Sequence, residues 1–130
     1  MKIAATIAFF CAGGGLTRYY LSGWVYSLLG RNFPYGTLAV NVIGAYCIGL
    51  IMDYSLRSTA ISETLRLGLT VGFMGGLTTF STFSYETFKL LEDGQLLVAI
   101  ANVLASVTVC LLCTWLGIIT VRTIMPGGLG

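Results

Sequence analysis

The stretch VGFMGGLTTFSTFSYE, residues Val71 to Glu86, lies inside one of the longer apolar stretches of the chain. It nevertheless carries two adjacent glycines, six hydroxyl side chains, three phenylalanines and a terminal acid. Each glycine inside a helix costs about 1 kcal/mol relative to alanine, and Thr78 and Thr79 compete for backbone hydrogen bonds. The pattern predicts a break near Gly75–Thr79. Unwound backbone survives in hydrocarbon only where protein or an ion satisfies it. Broken membrane helices use freed carbonyls to hold cations and helix N-termini to face anions. A kinked but well-packed helix is the plainer reading of the same residues.

The rest of the chain explains why hydrocarbon is the relevant solvent. Only 9% of its 130 residues are charged, against about 25% in an ordinary globular protein. The length fits one domain, residues 1–130. Four windows are long and apolar enough for a span of roughly 20 residues: 3–29, 37–54, 65–91 and 96–121. The expected fold is therefore an all-α integral membrane protein of four transmembrane helices, the third broken near Gly75–Thr79. The joins are short and leave little chain for a soluble domain. Lys2 ahead of the first apolar run imitates a signal peptide, but that run is too long and lacks a small-x-small cleavage site. A retained helix is expected. The tail Pro126–Gly130 is expected to be mobile.

Several chemistries are disfavoured. Cys11, Cys47, Cys110 and Cys113 all fall in apolar windows, where free cysteine behaves as a small hydrophobe. The Cys110-Leu-Leu-Cys113 spacing lacks the βαβ context of a redox motif. There is no histidine, which removes the usual general base and commonest metal ligand. An enzyme is not expected, nor is a nucleic-acid partner. The Lys/Arg bias of the loops is feeble: Lys2, Arg57, Arg66 and Arg122 stand against Arg31 and Lys89, with Arg18 near the latter. That balance reads either as termini inside or as insertion in both orientations. Four helices of this length pack around side chains rather than a wide hole, so a path between subunits is expected.

Polar groups within the spans usually face protein or a water-filled cavity. Arg18 reads as a snorkelling residue, or as a structural tie or anion attractor at a vestibule. Asn41 reads as interhelical glue or as a source of N–H donors for an anion. Asn102, Ser106, Cys110 and Thr114 form a stripe with period four, either a packing seam or a hydrated track. Gly68, Gly72 and Gly76 share that spacing and argue for tight helix contact, within or between subunits. Phe80 and Phe83 share a helix face. That is ordinary packing, but the positive edges of two rings beside hydroxyls can also hold a small anion without a formal charge.

Three segments together resemble the Fluc (CrcB) fluoride channel family: Gly13-Gly14-Gly15-Leu16-Thr17-Arg18-Tyr19; Gly36 to Gly44 with Asn41; and Gly72 to Glu86. The resemblance covers nearly the whole chain, and the third segment is the most specific. It implies an antiparallel, dual-topology homodimer in the bacterial cytoplasmic (inner) membrane, a multi-pass protein exporting F⁻ passively. It further implies a central structural Na⁺ held by the Gly75 and Thr78 carbonyls of both copies. By the same match, Phe80, Phe83, Asn41, Ser81, Thr82 and Thr79 belong to the fluoride pore. Asn102, Ser106 and Thr114 belong to a polar track, from which Cys110 departs because a thiol is a poor donor. Arg18 and Glu86 match vestibular or structural positions. The alternative is a small-multidrug-resistance-like dimeric exporter, which needs an intramembrane carboxylate. The first window has none, and Asp53 and Glu86 lie near the ends of others.

Overall fold

The computed structural model describes residues 1–127, and all its regular structure is helical. Helix α1 spans Lys2–Leu29 and α2 spans Tyr35–Arg57. The third pass is composite. A short α3, Glu63–Leu67, runs into a π-helical turn, Gly68–Met74, and then into a three-residue α4, Gly75–Leu77. Thr78 and Thr79 follow in extended conformation, and α5 begins afresh over Phe80–Glu92. Helix α6 spans Leu96–Ile124. Pro126 and Gly127 form a turn, and the rest of the tail, residues 128–130, lies outside the described residues.

Helices α2 and α6, of 23 and 29 residues, are the two that are long and apolar enough to cross a membrane unaided. Among the described residues only these two pass as single unbroken helices, and the other two windows of the sequence reading correspond to α1 and the composite third pass. Helix α1 has the length but is diluted by Arg18, by glycines and by hydroxyl side chains. At 13 residues, α5 extends only about 20 Å, short of a hydrocarbon core about 30 Å thick. Four passes still fit the architecture. Arg57 at the end of α2 bonds Met125 beyond α6, and Tyr26 late in α1 bonds Glu86 at the middle of α5, late in the third pass. Helices α2 and α6 therefore run one way, and α1 with the third pass runs the other.

The polarity of the molecule is inverted relative to a soluble protein. Large apolar side chains such as Phe9, Trp24, Leu97, Leu104, Leu111 and Trp115 lie outside, while Thr37, Asp53, Thr79, Asn102 and Ser106 are buried. The buried apolar cluster is small and centres on Val40, Met74 and Leu77. Lipid tails give apolar side chains no reason to hide from them, so close packing and internal hydrogen bonds must hold the helices together.

Glycine supplies the close packing. Gly68, Gly72 and Gly76 all face α1 of the same chain. A Cβ at Gly72 would stand 2.8 Å from the Ile7 carbonyl oxygen, and one at Gly76 would stand 2.9 Å from the Gly15 nitrogen. The stripe is thus an intrachain seam. A second seam joins α2 to α6, where a Cβ at Gly49 would collide with the Thr114 carbonyl and one at Gly117 with the Tyr46 carbonyl. Thr114 donates to the Ala45 carbonyl at 3.0 Å beside that seam, and the Tyr46 and Thr120 hydroxyls pair at 3.2 Å. At its end, the buried carboxylate of Asp53 takes Arg57 at 2.7 Å and Arg122 at 3.4 Å. Both Asp53 oxygens are thus engaged by arginines, one on its own helix and one on α6, a structural use of the carboxylate.

Because neither backbone can retreat, Gly49→Ala and Gly117→Ala should each destabilise the protein by about 1–3 kcal/mol, the usual cost of overpacking. Thermal unfolding in detergent checks this. Gly15→Ala, where nothing lies within 4 Å of the new methyl, should leave the midpoint almost unchanged.

Candidate functional site

The extended pair Thr78–Thr79 is the centre of the site. A continued helix would aim the Thr79 N–H at the Gly75 carbonyl. It instead donates to Asn41 Oδ1 at 2.7 Å, while Asn41 Nδ2 donates back to the Thr79 carbonyl at 3.1 Å. One amide side chain on α2 therefore satisfies both polar groups of an unwound residue. The Thr78 carbonyl accepts from Arg18 Nη1 at 3.2 Å. Helix α1 and helix α2 each send one polar side chain to the interruption. For both residues the glue reading holds geometrically, and Asn41 keeps one N–H for another acceptor.

Past the interruption, Thr79 caps α5. Its hydroxyl accepts from the Thr82 N–H at 3.1 Å and donates to the Thr82 hydroxyl at 2.9 Å, with the Ser81 hydroxyl 3.3 Å away. These hydroxyls crowd the positive end of a helix dipole. Phe80 and Phe83 follow with ring centroids 5.4 Å apart and planes at 50°. Phe83 is buried, whereas Phe80 is 79% exposed, so the pair straddles the edge of the protomer.

A lateral groove of about 570 Å³ opens beside the rings. It gathers Asn41, Gly75, Thr78, Thr79, Phe80 and Phe83 with Ser106, Cys110 and Thr114 of α6. The structure thus brings most of the expected residues together and separates the rest. Thr82, Arg18 and Glu86 line a different chamber of about 360 Å³ on the other side of Thr79. Ser81 lines neither cavity. The α6 stripe divides in the same way. Asn102 is packed against α5, donating to Thr87 at 2.9 Å, and Ser106 lies 3.5 Å from its side-chain oxygen. Ser106, Cys110 and Thr114 face the groove. Seam and groove lining are therefore successive stretches of one stripe.

A Na⁺ ion asks for hard oxygen ligands, and backbone carbonyls of unwound helices provide them. The Gly75 carbonyl fits, since its helical partner has gone to Asn41. The Thr78 carbonyl fits through its second lone pair, the first being engaged by Arg18. Among the described residues no cluster of His, Cys, Asp or Glu offers a metal site.

Residues 5–118 match the model of a family described as CrcB-like protein, Camphor Resistance (CrcB). The chain belongs to the CrcB family. A protein of Trichlorobacter lovleyi named fluoride-specific ion channel FluC is 82% identical over 124 residues, covering 95% of this chain and 99% of that one. Its namesake in Pelobacter propionicus is 80% identical over 128 residues, covering 98% and 99%. Another, in Geobacter metallireducens, is 66% identical over 122 residues, covering 94% and 98%. The CrcB chain is thus a membrane protein, in keeping with its apolar exterior.

Two residues of this CrcB chain escaped the sequence reading. Tyr26 donates to Glu86 Oε1 at 2.8 Å, and the Thr37 hydroxyl lies 3.3 Å from the Tyr26 oxygen. A tyrosine in an apolar helix, 60 positions from its acid partner, carries no local signal of that pairing.

Asn41→Leu keeps the branched shape, with some added bulk, and removes both bonds to Thr79. Each polar group left unpaired in a dry site costs about 1–3 kcal/mol. The variant should therefore unfold at clearly lower temperature in detergent, with a larger loss than Ser81→Ala produces.

Proposed function

We propose that the chain is a passive, fluoride-selective channel that works as an antiparallel, dual-topology homodimer in the bacterial inner membrane. The observation that carries this reading is the groove itself. One clasped amide, the Thr79 and Ser106 hydroxyls and two phenylalanine rings converge there, with no formal charge among its lining residues. Full membership of the CrcB family and the names of its close relatives support the same conclusion.

Fluoride is small, strongly hydrated and a strong acceptor. Leaving water requires replacement donors, which the remaining Asn41 N–H, the ring edges and the Ser106 hydroxyl, held only by a long 3.5 Å contact to Asn102, supply. Their weakness matters, because an ion that binds too tightly does not leave. Larger halides gain less from the same donors and are excluded by width. The groove is open along Phe80, so a second copy of the chain is the natural closing wall. An antiparallel copy makes two equivalent paths. The Gly75 and Thr78 carbonyls of the two chains would then be the groups that hold a Na⁺. When bound, that ion supplies positive charge that lowers the cost of an anion in low dielectric.

Export follows weak-acid logic. Hydrogen fluoride enters from an acid exterior and dissociates at cytoplasmic pH, and the ion leaves down its gradient. Liposomes containing the purified protein should release fluoride with an accompanying current and without proton coupling, while chloride stays. Phe83→Ile should slow release roughly three- to tenfold, the equivalent of losing an aromatic contact of about 0.5–1.5 kcal/mol. Fluoride release at the background rate from folded dimers would refute the reading, and proton-coupled release would favour an exporter.

A further inference from the structure

The protomer contains a chain of three cavities. The groove shares Thr79 with the Arg18 chamber. That chamber shares Tyr26 and Glu86 with a third cavity of about 380 Å³, which opens among the loops at Arg31 and Asp93, with Lys89 on its wall. Tyr26 and Glu86 are therefore the partition between an arginine-lined interior and a mouth of mixed charge.

The hydrogen bonding of this partition is one-sided. The Tyr26 hydroxyl proton goes to Glu86 Oε1, and Glu86 Oε2 is buried with no partner. Among the described residues Glu86 belongs to no ion pair, although Arg18 lines one of its cavities and Arg31 the other. Arg31 instead stacks over the Tyr26 ring, 4.9 Å from its centroid. The charged and titratable groups around the carboxyl are thus Arg18, Tyr19 and Tyr26 of α1, Arg31 and Asp93 of the loops, and Tyr85 and Lys89 of α5, while α2 contributes the Thr37 hydroxyl. An anion passing from mouth to chamber meets acceptor oxygens with their donor protons already spent. Elsewhere on the route it meets Arg31, Arg18 and the Thr82 hydroxyl, with Asp93 the other acid at the mouth and Lys89 already paired with Glu92.

We propose that Glu86, latched by Tyr26, is an electrostatic barrier that throttles anion passage between the Arg31 mouth and the Arg18 chamber. This rests on the channel reading and assigns Glu86 a part in it. Glu86→Gln keeps an oxygen for the Tyr26 proton and puts an N–H donor where Oε2 stands. The repulsion of a carboxylate for an anion a few ångströms away is large enough that its removal should speed fluoride efflux by about tenfold. Arg31→Gln should do the opposite, because it strips the mouth of a positive charge that offsets the carboxylate, and should slow efflux several-fold.

Efflux from liposomes holding wild type, Glu86→Gln or Arg31→Gln decides the matter. A faster Glu86→Gln and a slower Arg31→Gln support the barrier. A folded Glu86→Gln that releases fluoride at the wild-type rate or below overturns it, as does an Arg31→Gln that matches wild type. Should Glu86→Gln fail to fold, Arg31→Gln decides alone. Wild type that releases no fluoride sinks the channel reading itself, whereas a conducting wild type with unaltered variants sinks only the barrier.

Discussion

A single amide holds this molecule's unusual feature in place. Two consecutive residues leave helical geometry in the middle of an apolar pass, and hydrocarbon offers their peptide groups nothing. Asn41 answers with both ends of its side chain on Thr79, and Arg18 answers on Thr78. Without these bonds the interruption would be costly enough to favour a continuous helix. A continuous helix would withhold the Gly75 carbonyl, deny α5 its Thr79 cap and rotate the phenylalanine pair away from Asn41.

The two glycine seams make that arrangement possible. They bring α1 against the π-turn and α4, and α2 against α6, at distances where no Cβ fits. Arg18 and Asn41 project from helices held close to the interruption on either side. Helix α5, by contrast, is tethered mainly by polar side chains: Thr79 to Asn41 at its start, Glu86 to Tyr26 and Thr87 to Asn102 further along. A rigid first half and a polar-tethered second half meet at Thr79, the residue shared by groove and chamber. The site is therefore a boundary between two modes of packing.

Charge follows the same division. The groove has none, the chamber has Arg18 and Glu86, and the far end of the molecule locks Asp53 between two arginines. Strong charges are kept where they tie helices or line the chamber and the mouth. The ring-lined groove presents only dipoles, which on the proposed channel reading would attract an anion without trapping it.

The sequence by itself determined the solvent, the helical class and the chemistry of the short run from Gly75 to Glu86, because these depend on composition and near-neighbour spacing. It also located the small-residue stripe Gly68, Gly72 and Gly76, and the period-four polar stripe of α6. It bounded the interruption to Gly75–Thr79 without fixing the residue: helical geometry persists through Leu77 and gives way at Thr78, where Arg18 and Asn41 take the freed groups of Thr78 and Thr79. Nor did it reveal which cell of the molecule each hydroxyl lines, that Asn102 packs while Ser106 faces the groove, or that Tyr26 latches Glu86. Those outcomes join residues that are 15 to 60 positions apart, and only the docking of whole helices, set by glycine contact distances, brings such partners within a hydrogen bond of each other.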